Sequence, residues 1–85
     1  MSIPEQQVLS FTEKQGQYLA YIYSYTKTNG IAPAHADMQH YFKVTPPTVN
    51  QMVKMLESKK LISKKPRTAR SIEILIPVEL LPALD

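Results

Sequence analysis

The stretch Thr45-Pro46-Pro47-Thr48-Val49-Asn50-Gln51-Met52-Val53-Lys54-Met55-Leu56 limits what this chain can fold into more than any other. Val49, Met52, Val53 and Leu56 recur at the i, i+3, i+4, i+7 spacing of one buried helical face. Pro46 and Pro47 fit the first turn of a helix, where an amide has no intrahelical partner to lose. Thr45, just ahead of them, is expected to be the N-cap, its hydroxyl accepting from a first-turn amide. The stretch therefore predicts a helix with one apolar side. Its other side begins with Thr45, Pro47, Thr48, Asn50, Gln51 and Lys54. Such a side is ordinarily a solvated surface. Short, neutral hydrogen-bonding groups at a helix start also suit the floor of a DNA major groove, with a cation further along for a phosphate.

Composition narrows the choice. Eighty-five residues, 44% of them hydrophobic, make one small domain with a thin core. There is no cysteine, so neither a disulfide framework nor a thiolate metal site is open to it. No apolar run approaches membrane-spanning length. Met1 to Ser10 lacks the basic and apolar regions of a signal peptide, and a cytoplasmic protein without a membrane partner is expected. The net charge of +3 is unevenly spread. Between Lys54 and Arg70, seven cations (Lys54, Lys59, Lys60, Lys64, Lys65, Arg67, Arg70) face the single acid Glu57. That segment carries +6 and the rest of the chain −3. A solubilising surface usually mixes both signs; cations confined to one segment point to a polyanion, and nucleic acid is the usual one.

Along the chain, residues 1–10 read as an N-terminal arm, with a short helix possible from Ser2 and Ile3, Val8 and Leu9 available to dock. Thr12-Glu13-Lys14-Gln15 matches a capping box and predicts a helix from Glu13 to about Asn29, stopped by Gly30 in a left-handed turn. Leu19, Ile22, Tyr23 and Thr26 form its expected core stripe. Tyr18, Tyr21 and Tyr25 form a second stripe, either a shield for the core edge or a self-association surface. Ile31-Ala32-Pro33 is extended. A second helix is expected from about Ala34 to Phe42, with Met38, Tyr41 and Phe42 apolar. His35 and His40 are five residues apart, too far around a helix to share a metal, and both read as surface or boundary residues. Lys43-Val44-Thr45 then links two helices by a turn short enough for a helix-turn-helix or a generic helical hairpin. Leu61-Ile62-Ser63 and Ser71 to Ile76 read as strands around the basic loop Lys64 to Arg70. The fold class expected is mainly α with a small β-hairpin: three helices plus a two-stranded wing over residues 11–76. Residues 77–85 form a Leu-rich tail that either packs back or meets a second copy.

At this point the chain resembles the N-terminal DNA-binding domain of the LexA repressor family. Phe11-Thr12-Glu13-Lys14-Gln15, Asn29-Gly30-Ile31-Ala32-Pro33 and Thr45-Pro46-Pro47-Thr48-Val49 resemble its first-helix opening, its link and its recognition-helix start. Leu56-Glu57 followed by Leu61-Ile62, then Arg70-Ser71-Ile72, resemble its wing. The resemblance implies a winged helix whose third helix reads the major groove and whose wing touches the backbone or minor groove. It puts base readout on Thr45, Pro47, Thr48, Asn50 and Gln51. Pro47 stands where better-known members have asparagine, and Asn50 and Gln51 where they often have acids, so a different operator is expected. Lys60 replaces the glycine that ends the family's third helix, and an exit either strained or differently shaped is expected there. The family's self-cleaving serine–lysine peptidase half has no counterpart in these 85 residues. Autoproteolysis is therefore not expected of them, and a dimer contact would come from elsewhere. Other winged-helix regulators, the MarR-like group included, share the third-helix pattern.

The function expected is a sequence-specific, double-stranded DNA-binding regulator, a repressor, acting as a homodimer. Lys54, Lys59, Lys64, Lys65, Arg67 and Arg70 are the expected phosphate contacts, with Arg67 or Arg70 a candidate for the minor groove. Tyr18, Tyr21, Tyr25, Leu80, Leu81 and Leu84 are the candidate dimer contacts. The competing reading is a protein-interaction module using the tyrosines and the tail. An enzyme is not expected: the sequence offers no Ser/His/Asp set, paired acids or phosphate-cradling loop. No cofactor and no metal is expected.

Overall fold

A computed structural model describes residues 11–85. The expected N-terminal arm, residues 1–10, lies outside the described residues. Three helices are followed by a two-stranded antiparallel sheet. Helix α1 spans Glu13–Asn29, α2 His35–Phe42 and α3 Pro46–Ser58; β1 is Ile62–Ser63 and β2 Glu73–Ile74. A short 3-10 turn, Val78–Leu80, follows. This is the winged helix-turn-helix order.

Local chemistry sets the ends. Thr12 Oγ1 accepts from the Gln15 amide at 3.1 Å, and Gln15 Oε1 accepts from the Thr12 amide at 3.0 Å, so the capping box forms. Gly30, at φ 79°, closes α1 with its amide on Thr26 O. Asp37 caps α2 from inside its first turn, its carboxylate accepting from the Ala34 amide at 2.8 Å. Lys43, at φ 56°, ends α2 in the left-handed region and turns the chain into α3. One capping detail differs from expectation. Thr45 is the N-cap of α3, but its hydroxyl caps no amide and lies 2.9 Å from Thr48 Oγ1. Pro46 and Pro47 have no N–H to cap, and the Thr48 amide already donates to Thr45 O at 3.0 Å.

The core is Tyr18, Leu19, Ile22, Met38, Val49, Val53, Leu56, Leu61, Ile62 and their neighbours. The inward face of α1 is Gln15, Tyr18, Leu19 and Ile22, shifted from the expected Leu19, Ile22, Tyr23 and Thr26. Tyr18 stacks on Phe42 of α2 at 4.0 Å between ring centroids, which draws it inside and turns Tyr23 out to 37% exposure. Burial raises the Tyr18 phenol above its ordinary pKa. In the sheet, Ile62 pairs with Ile74 and Ser63 with Glu73. Ile72 is buried and Ile74 and Ile76 pack on the core, while Glu73 and Leu75 face out, the alternation that period two demands.

The tail packs back onto the domain. Gln17 of α1 donates to Ala83 O and accepts from the Asp85 amide, both at 2.9 Å, and the Tyr41 hydroxyl donates to Asp85 O at 2.9 Å. Buried Gly16 sits under this strap. A Cβ there would lie 2.9 Å from Phe11 Cε1 and 3.0 Å from Pro82 Cγ. That explains a glycine inside a helix, where it otherwise lowers stability.

Candidate nucleic-acid interface

Burial of Val49, Val53 and Leu56 fixes which side of α3 faces out. Thr45, Pro47, Thr48, Asn50, Gln51 and Lys54 are all exposed, so the polar side read from the sequence is a continuous surface. Within it, side chains already bond one another. Thr45 and Thr48 share a hydroxyl–hydroxyl bond. Asn50 Oδ1 lies 2.9 Å from His35 Nδ1 at the start of α2. Gln51 makes no side-chain hydrogen bond among the described residues, and Pro47 offers only an apolar ring.

Two hydroxyls and one backbone bond hold the wing loop: Thr68 Oγ1 donates to Pro66 O and the Thr68 amide to Lys65 O, both at 3.2 Å. Ser71 Oγ donates to Thr68 O at 2.8 Å and accepts from the Lys65 amide at 3.0 Å. Pro66 lies in the turn, where no ladder bond is needed. Arg67 and Arg70 both take left-handed backbone, at φ 56° and 55°. A cleft of about 300 Å³ separates the wing from the start of α2, lined by His35, Lys64, Arg67 and Arg70 among others. His35 therefore touches the recognition helix on one side and the basic cleft on the other, which puts both on one face of the molecule.

The six expected phosphate contacts divide. Lys54, Lys64, Lys65 and Arg67 make no side-chain hydrogen bond or ion pair among the described residues. Arg70 and Lys59 are placed otherwise. Arg70 folds back on the body, its guanidinium 3.1 Å from both Asp37 Oδ2 and the Tyr25 hydroxyl and 3.4 Å from Ala32 O. The Ala34 amide, and then the Arg70 charge, hold the Asp37 carboxyl below its ordinary pKa. Lys59 Nζ donates to Oε1 of the buried Gln15 at 2.9 Å, supplying a second donor to an oxygen that water cannot reach. No sequence spacing marked Asp37, Gln15 or His35 as partners of this face; the pairs are 15 to 44 residues apart.

The tyrosines and leucines expected at a dimer contact are largely engaged within the chain. Tyr18 is 1% exposed and belongs to the core, which removes it from that surface. Tyr21 stacks on Tyr41 at 4.4 Å, and Tyr25 receives Arg70. Leu81 packs on the core, Leu84 is half-buried, and Leu80 is 43% exposed. No helix among the described residues is long and apolar enough to cross a membrane.

The family model for the iron dependent repressor N-terminal DNA binding domain matches residues 10–69. Among curated proteins, the LexA repressor of Thermosipho melanesiensis is 39% identical across 80% of this chain and 38% of its own length. The LexA repressor of Thermosipho africanus is 36% identical across 74% of this chain and 32% of its own length. The chain spans about a third of the length of these relatives. The residues do not fit the iron in the family description: the sequence has no cysteine, and no three His, Asp or Glu side chains converge among the described residues.

Proposed function

The chain belongs to the family of the iron dependent repressor N-terminal DNA binding domain, and from that premise we propose that it acts as a sequence-specific transcriptional repressor on double-stranded DNA. Its α3 enters the major groove, where Thr45, Pro47, Thr48, Asn50 and Gln51 meet base edges. Lys54 takes a phosphate beside it, and Lys64, Lys65 and Arg67 take the backbone or minor groove from the wing. Residues 11–76 are the DNA-binding unit, with 1–10 an arm and 77–85 a strap. One helix in one groove binds weakly, so two copies on adjacent half-sites make the working species, in the cytoplasm, by occluding a promoter. Of the expected contacts Leu80 is exposed for that pairing, with Tyr21, Tyr25 and Leu84 half-buried beside their partners within the chain. No catalytic step and no cofactor belongs to this reading. The observation that carries it is the exposed polar side of α3 sharing one face with a wing whose Lys64, Lys65 and Arg67 have no side-chain partner among the described residues. Family membership favours it over a protein-interaction module.

The test is selection from a pool of random duplex DNA at two salt concentrations, with molecular mass measured alongside. An inverted repeat bound by a dimer is the expected result. Salt-sensitive binding with no motif reduces the role to nonspecific DNA association, and no binding at low salt overturns the reading.

A further inference from the structure

The amino end of α2 reaches the recognition surface at one point, through His35 and Asn50. A carboxamide oxygen only accepts, so across the 2.9 Å Nδ1–Oδ1 approach the imidazole carries its proton on Nδ1 and donates it. His35 is the first residue of α2, next to the Ala34 amide that Asp37 caps, so its backbone is fixed. Asn50 follows buried Val49 on α3 and is itself exposed.

A free asparagine reads adenine with both ends of its carboxamide, accepting from N6 and donating to N7. With Oδ1 engaged by His35, the end left outward is Nδ2, which carries two donors and no acceptor. The base edges that match it bear acceptors: guanine at O6 and N7, thymine at O4. Resting on the DNA-binding function proposed above, we propose that His35 is a specificity-determining positioning residue. By holding Oδ1 it turns Asn50 from an adenine reader into a donor-only reader of guanine or thymine. His35 makes this choice without itself contacting the base that Asn50 reads.

The experiment is parallel selection from random duplex DNA with the wild-type chain, His35→Ala, His35→Gln, Asn50→Ala and the His35→Ala/Asn50→Ala double variant. Asn50→Ala identifies the base position that Asn50 reads, as the one that loses its preference. At that position the wild-type chain is expected to select guanine or thymine. His35→Ala should raise the share of adenine there by roughly three- to tenfold, the worth of one net hydrogen bond, and leave every other position unchanged. His35→Gln can still donate to Oδ1 and should keep the wild-type preference. The double variant should match Asn50→Ala. Circular dichroism melts of the single variants, expected near wild type for these surface side chains, separate reading from folding. Wild-type selection of adenine at that position, or an unchanged motif in His35→Ala, overturns the inference while leaving the DNA-binding function standing. A wild-type chain that binds but recovers no motif reduces the function to nonspecific association and overturns the inference; one that does not bind at low salt overturns both.

Discussion

All three helices end in a left-handed turn, α1 at a glycine and α2 and α3 at a lysine. After α1 the turn is Gly30 at φ 79°; after α3 it is Lys60 at φ 62°. At the α3 exit the Lys60 amide donates to Glu57 O and the Leu61 amide to Leu56 O, both at 3.0 Å. Leu56 and Leu61 are fully buried. This is the Schellman pattern, and it holds Lys60 in a conformation that costs an L-residue with a Cβ roughly 1–2 kcal/mol. Replacing Lys60 by glycine removes that cost and adds about 0.5–1 kcal/mol of unfolded-state entropy to be lost on folding. The net expectation for Lys60→Gly is a gain of about 0.5–1 kcal/mol, or a Tm higher by roughly 3–6 °C in a chain this size. Lys60 makes no side-chain bond among the described residues, so Lys60→Ala, which keeps the Cβ, should change little. Gly30→Ala is the mirror test. A Cβ there meets nothing within 4 Å, so its loss of about 0.5–1 kcal/mol is purely conformational. Urea unfolding followed by circular dichroism, with unchanged m-values, measures all three. If Lys60→Gly is no more stable than Lys60→Ala, the backbone argument is refuted; a loss in Lys60→Ala relative to wild type would instead mean that the lysine side chain stabilises the exit.

Three further outcomes are expected. Leu56→Ala, at the centre of the core, should cost about 2–5 kcal/mol, enough to unfold much of a domain this small at physiological temperature, as a calorimetric scan would record. Gly16→Ala should destabilise despite the better helix former, because the new methyl must displace Phe11 and Pro82; amide exchange at Asp85, whose N–H donates to Gln17, should quicken. Asp37 has a folded pKa below its unfolded value, so its contribution is complete above the unfolded pKa and is lost as pH falls through the folded one; the stability gap between wild type and Asp37→Asn should narrow on acidification, and a gap that stays constant in an acid titration sinks this assignment.

The helix ends were legible because their signals are local. Thr12 with Gln15, Gly30, and Pro46-Pro47 each act within one turn, so short stretches of sequence specify them. The choice between Tyr18 and Tyr23 was not legible. Stripes through residues 15, 18, 19 and 22 or through 19, 22, 23 and 26 share Leu19 and Ile22, and only the position of Phe42 on another helix decides between them. The candidate site divides along the same line. Which side of α3 faces out follows from its own periodicity, and that side is exposed throughout. Which of its groups are already bonded depends on residues far away in the chain, such as His35 for Asn50 and Gln15 for Lys59. Counting charges between Lys54 and Arg70 located the basic segment but could not separate cations that hold the fold from cations left over.

That separation has a measurable consequence. Each phosphate neutralised on duplex DNA contributes about −0.9 to the slope of log affinity against log salt. If all six expected cations took phosphates, the slope per protomer would be about −5.4; with Lys59 on Gln15 and Arg70 on Asp37, the four that remain give about −3.6. Salt titration of a selected duplex, read by fluorescence anisotropy, distinguishes the two. Arg67→Ala should then flatten the slope by about 0.9, because that guanidinium has no other partner among the described residues. Arg70→Ala should leave the slope unchanged while lowering stability, because its charge serves the junction of wing, α1 and α2. A wild-type slope steeper than about −5, flattened by Arg70→Ala, would mean that DNA pulls Arg70 away from Asp37 on binding. The fold contact would then be a property of the free chain alone, and the wing would have to move when it meets DNA.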